Sequence, residues 1–78
     1  MFNVRLRAMR MKRNHTQQWM ADALDIALRT YQGYETGSRA PKFDLLISIA
    51  DILDVSTDYL LGRDDWLHSH GVSVDEYR

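Results

Sequence analysis

The sequence predicts one small all-α domain of five helices, followed by a short C-terminal tail. Three observations carry this. Apolar residues recur at three- and four-residue spacing, and no segment sustains the strict alternation of a strand. Capping residues mark helix starts and stops at short intervals. The chain has 78 residues, 45% hydrophobic and 27% charged, enough for one ordinary globular core. Residues 1–63 form the domain and 64–78 the tail. There is no cysteine, so no disulfide or thiolate metal site contributes to stability.

Taken in order, the first helix starts near Asn3, placed as its N-cap, and sets Leu6, Met9 and the stem of Arg13 on one face before Asn14-His15 ends it. Thr16 caps the second helix, with His15 and Met20 at the positions of a hydrophobic staple and with Met20, Ala21 and Leu24 inward. Asp25-Ile26-Ala27 is long enough only for a tight turn. The third helix runs from Leu28 to Thr36, where Gly37 stands at the left-handed closing position. Pro41 biases Ala40 away from helix, so 38–41 is a loop. The fourth helix, about Phe43 to Asp54, is expected to bury Phe43, Leu46, Ile49, Ala50 and Leu53. Ser56 caps a short fifth helix, stapled by Val55 and Leu60 and closed by Gly62. Ser73 and Glu76 have capping-box spacing, but too few residues follow for a helix to stand alone.

Charge is unevenly distributed. Residues 1–42 carry a net +5 and residues 43–78 a net −6. A basic face on a near-neutral protein suits a polyanionic partner. The longest apolar stretch, Leu45–Ala50, is far too short to span a bilayer. The basic start is followed by no apolar signal region, so the expected address is the cytoplasm. His68 and His70 beside Asp64 and Asp65 read as solvated tail residues rather than a metal site, and Ser69 between them makes no triad. No glycine-rich phosphate loop or paired catalytic carboxylates stand out, so neither an enzyme nor a cofactor, metal or small-molecule ligand is expected.

The third helix is the most informative element. At about 100° per residue, Tyr31 and Tyr34 share a core-facing side, while Leu28, Arg29, Gln32, Gly33 and Thr36 share the other. That second face is small, polar and free of acids. Solvated faces usually carry Lys and Glu; a face of this kind suits a helix in a DNA major groove, where Arg and Gln read base edges. Helix, three-residue turn, helix is the helix-turn-helix unit.

Thr16-Gln17-Gln18-Trp19-Met20-Ala21, Leu24-x-Ile26, Tyr34-Glu35-x-Gly37, Pro41, and Ala50-Asp51-x-Leu53-x-Val55-Ser56-x-Asp58-Tyr59-Leu60-Leu61-Gly62 follow one another with family spacing. The ordered set, over about residues 4–63, resembles the phage-repressor-like (Cro/XRE-type) helix-turn-helix family. The resemblance implies a five-helix, lambda-repressor-like DNA-binding domain of a prokaryotic or phage transcriptional regulator. It implies base contacts from Leu28, Arg29, Gln32 and Gly33, and phosphate contacts from Gln17, Thr36, Arg39 and Lys42. It also implies an interior ion pair between Arg10 and Glu35. The chain departs from the family at several places: Asp25 stands where the turn usually has Gly, Ala27 where the recognition helix usually has a Ser or Thr cap, and Leu28 at a position often polar.

The expected partner is a double-stranded DNA operator, bound by a homodimer acting as a repressor. Tyr59, Leu61, Trp66 and Leu67 are the expected dimer surface, being more apolar than a monomer needs. Trp19 stands where the family is usually polar; it either covers neighbours such as Ala23 or meets the tail or a partner. The alternative function is an antitoxin-like or adaptor module that uses the same fold to bind protein.

Overall fold

The computed structural model describes residues 1–63 and Ser69. Five helices follow in order: α1 (Phe2–Lys12), α2 (Gln17–Ala23), α3 (Leu28–Thr36), α4 (Phe43–Leu53) and α5 (Thr57–Leu60), with no strand among the described residues. Trp66, Leu67, the His68/His70 cluster and the Ser73/Glu76 pair lie outside the described residues.

One backbone device ends four of these helices. Asn14, Asp25, Asp54 and Gly62 each adopt positive φ, from 55° to 78°. The amide after each reaches back five residues: His15 to the Arg10 carbonyl, Ile26 to Ala21, Val55 to Ala50 and Arg63 to Asp58. This is the Schellman arrangement, and it satisfies carbonyls that a helix end leaves open. Asn and Asp can stand in for glycine because their short polar side chains tolerate the left-handed region better than most. The turn with Asp25 in place of Gly therefore keeps the same geometry.

At their starts, Thr16 and Ser56 act as expected. Each hydroxyl accepts from the amide three residues on, Trp19 and Tyr59 respectively. Ala27 at the start of α3 supplies no side-chain cap. Asn3 is not the cap of α1; the cap position falls two residues earlier, at Met1, which supplies no side-chain hydrogen bond. The Asn3 amide instead lies against Gly37 at the end of α3.

The core gathers Leu6 and Met9 of α1, Met20 and Ala21 of α2, Tyr31 and Tyr34 of α3, Ile49, Ala50 and Leu53 of α4, and Leu60 of α5. Leu24 and Val55 close it at the turns. The expected α4 stripe needs one correction: Phe43 is 74% exposed. It stands in the first turn, about 70° from the centre of the buried stripe, at its rim. Leu46 is only half-buried. Tyr59 is buried, 7% exposed, with the Arg5 guanidinium 4.3 Å above its ring. It therefore offers no free surface to a second chain, whereas Leu61 is 50% exposed.

Three arginines of the basic half are engaged within the fold. Arg5 donates to the Tyr59 carbonyl at 2.7 Å, Arg13 to the Leu53 carbonyl at 2.9 Å, and Arg10 enters the interior. Arg13 thereby ties α1 to the C-terminal end of α4, where a cation is favoured. The +5 of the first half is thus not a single basic face.

Candidate nucleic-acid interface

The α2–turn–α3 unit is held from beneath by one polar cluster. Arg10 Nε lies 2.6 Å from Glu35 Oε2 and its Nη2 3.1 Å from Oε1, a two-pronged ion pair. Arg10 Nη1 also donates to the His15 carbonyl at 2.9 Å. The pair implied by the family resemblance is therefore present, and it joins α1 to α3 and to the α1–α2 connection. Tyr31 adds a hydroxyl donated to Glu35 Oε2. Its role was legible in principle, because residues four apart share a helix face. With its ring in the core, however, Tyr31 reads as apolar packing alone.

Burial by itself would raise the Glu35 carboxyl, but hydrogen bonds from Arg10, Tyr31 and Gln17 outweigh it and hold the group below its ordinary value. The hydrogen bond to Glu35 raises Arg10 against the opposing effect of burial. Burial, then the adjoining carboxylate, raises the Tyr31 hydroxyl. The cluster is an ionised pair with a neutral phenol, and no buried side-chain polar atom among the described residues lacks a partner.

Gln17 carries this cluster to the surface. Its Nε2 donates to Glu35 Oε1 at 3.2 Å, and its Oε1 accepts from Gln32 Nε2 at 3.3 Å. A carboxylate only accepts, so Glu35 fixes which end of the Gln17 amide points inward. The Gln17 oxygen in turn draws the Gln32 amino group. The family resemblance implies a phosphate contact for Gln17; the bridge between the ion pair and α3 is visible only in the structure.

The other α3 residues divide by exposure. Arg29, Gln32 and Thr36 are exposed, Leu28 is half-buried against the core, and Gly33 is buried. Gly33 is therefore not an open position on the helix face. Arg39 and Lys42, both exposed, lie together on an open groove of about 610 Å³ between α3 and α4, lined also by Thr30, Tyr34 and Leu45. The structure thus brings Arg29, Gln32 and Thr36 onto one helix face, with Arg39 against Gly33 at its edge and Lys42 on the groove that Arg39 shares with Thr30 and Tyr34.

Trp19, 44% exposed, stacks on His15 with ring centroids 3.7 Å apart and planes within 4°. His15, expected to staple to Met20, thus packs on the Trp19 ring four residues along the chain. The neighbour that Trp19 covers is His15. No helix among the described residues is long and apolar enough to cross a membrane. No group of three metal-ligating side chains occurs among them.

A helix-turn-helix family model matches residues 6–60. The chain is 51% identical over 61 residues to the uncharacterized HTH-type transcriptional regulator YqaE of Bacillus subtilis, covering 78% of this chain and 53% of that protein. It is 47% identical over 60 residues to the HTH-type transcriptional regulator AnsR of the same organism, covering 77% and 52%. It is 46% identical over 50 residues to the cryptic phage CTXphi transcriptional repressor RstR of Vibrio cholerae, covering 64% and 45%. The chain spans about half the length of these curated relatives. No solved structure matches it. The matched residues contain all five helices but for the first turn of α1, and the chain belongs to the helix-turn-helix family of transcriptional regulators.

Proposed function

We propose that this chain is a sequence-specific DNA-binding regulator that lays α3 in the major groove of an operator and represses transcription by occupying it. The observation that carries the reading is the exposed face of α3. It presents Arg29, Gln32 and Thr36 with no acid among them, with Arg39 packed against Gly33 at its edge and Lys42 on the adjoining groove. Arg and Gln are the side chains that pair bidentately with guanine and adenine edges, and flanking cations hold the backbone. In this reading Arg29 and Gln32 read bases, with Leu28 against a thymine methyl. The backbone amide of Gln17 at the start of α2, together with Thr36 and Lys42, positions the domain on phosphates. The cytoplasm is the address such a role requires.

The protein acts as a homodimer, because one recognition helix covers too few base pairs for selectivity in a genome. Exposed Leu61, with Trp66 and Leu67 of the tail, is the proposed contact surface. A gel-shift and salt titration on the DNA flanking its own gene tests the reading. Lys42→Ala should weaken all DNAs alike and reduce the slope of log affinity against log salt by about one unit. An unchanged slope would place Lys42 away from the backbone, and no shift of any DNA would favour the protein-binding alternative.

A further inference from the structure

The reading face of α3 has a gap at Gly33. Counting from Leu28, this residue falls at about 140°, next to Arg29 at about 100°. A side chain there would project onto the same surface. Glycine in a helix interior is also unfavourable relative to alanine, so its presence calls for a reason. The structure supplies one. A Cβ on Gly33 would lie 2.8 Å from Arg39 Cδ, 2.9 Å from Cγ and 3.2 Å from Cβ. The alkyl stem of Arg39 occupies the space that a side chain at position 33 would fill, and this is why Gly33 is buried while Arg39 is exposed.

The backbone holds the stem there. The Gly33 carbonyl accepts from the Gly37 amide at 3.0 Å, from the Arg39 amide at 3.2 Å and from the Thr36 hydroxyl at 3.2 Å. This is the one helix end of the five that departs from the Schellman pattern, and the departure delivers Arg39 back over the helix. The guanidinium itself has no hydrogen-bond or ion-pair partner among the described residues. A cation with a fixed stem and an unengaged planar fork is preorganised for a ligand that accepts two parallel hydrogen bonds.

We propose that Arg39 is a base-reading residue, seated on Gly33 in place of the side chain that α3 lacks, with its guanidinium on a guanine edge. This rests on the reading that α3 enters a major groove. It reassigns Arg39 from the loop's phosphate contacts to the specificity-determining set, and it makes Gly33 a positioning residue that acts through Arg39. A loop cation serving only a phosphate would need no gap in the helix; Lys42, which has no such seat, keeps that role.

The test uses wild type, Gly33→Ala, Arg39→Ala, Arg39→Lys and the Gly33→Ala/Arg39→Ala double variant. Each is taken through selection from a randomised duplex library and through a thermal melt. Arg39→Ala and Gly33→Ala should each lose about tenfold or more of the preference at the same base pair, and the double variant should lose no more than either. Arg39→Lys should keep its affinity for random DNA and lose that preference. Gly33→Ala should raise the melting temperature in the Arg39→Ala background, where the seat is empty, and raise it less or lower it when Arg39 is present. Equal weakening of every sequence by Arg39→Ala would overturn the proposal, as would full base preference retained by Gly33→Ala. If wild type selects a site and only Arg39 proves indifferent to it, this inference alone fails. If wild type selects no sequence, the DNA-reading role falls and this proposal with it.

Discussion

Arg10 and Glu35 show how much one residue pair can determine. The pair is buried, two-pronged and shared with Tyr31 and Gln17. Such a pair adds little over well-packed apolar residues, yet breaking one half strands a charge. Arg10→Met should therefore cost about 3–5 kcal/mol, and replacing Glu35 by an apolar residue as well should recover much of it, as measured by urea unfolding. The pH dependence follows from the sign of the shift. Glu35 is held below its ordinary value in the folded state, so its contribution is fully present above the unfolded-state value near 4.5 and is lost as pH falls through the lower folded value. In Arg10→Met the carboxyl keeps its burial and loses its cation, and burial favours the neutral form. Acidification from about pH 6 to about pH 3 should therefore narrow the stability gap between wild type and Arg10→Met. A gap that is constant across that range would show that Glu35 does not depend on Arg10.

At the scale of the elements, stability is placed at helix ends. Thr16 and Ser56 cap α2 and α5 through their hydroxyls, while α3 starts at Ala27 with no such bond. Ala27→Ser should add a cap worth about 1 kcal/mol, visible as a higher urea midpoint with an unchanged slope. A lower midpoint would mean that the extended backbone at residue 27 cannot present a hydroxyl to α3. The caps also show what a sequence makes legible. Thr16, Ser56, Gly37 and Gly62 announce their positions because few residues suit them, and all of α2 to α5 follow to within a residue or two. The ion pair was legible through family spacing. Phe43 was misplaced because periodicity reports a helix's apolar direction, not where its first turn lies relative to the core. The Gln17 bridge and the Arg39 seat were not legible at all. Both depend on how a side chain from one element lies against another, and spacing within an element carries no information about that. Asn3 departs from its expected place for a related reason: its residue type suits a cap, and only the packing of α1 on α3 shows its amide against Gly37.

For the whole molecule, the structure separates two sides of the basic half: Arg5, Arg10 and Arg13 knit the helices together, while Arg29, Arg39 and Lys42 remain exposed around α3. Assembly is the next level. Tyr59 is buried beneath Arg5, so a twofold contact would use exposed Leu61 with Trp66 and Leu67. Sedimentation equilibrium at micromolar concentration should show a dimer that Trp66→Ala weakens; a wild type that stays monomeric would rule out a preformed dimer, and an unaltered mutant would move the interface elsewhere. The central claim is that the exposed face of α3 reads sequence. Its most direct test is competition binding of wild type and Arg29→Ala to a selected site and to a set of its single-base-pair variants. The account predicts a loss of about 1–3 kcal/mol for Arg29→Ala on the selected site, with discrimination relaxed at one base pair and kept elsewhere. Equal weakening on every duplex, with all preferences intact, would contradict it.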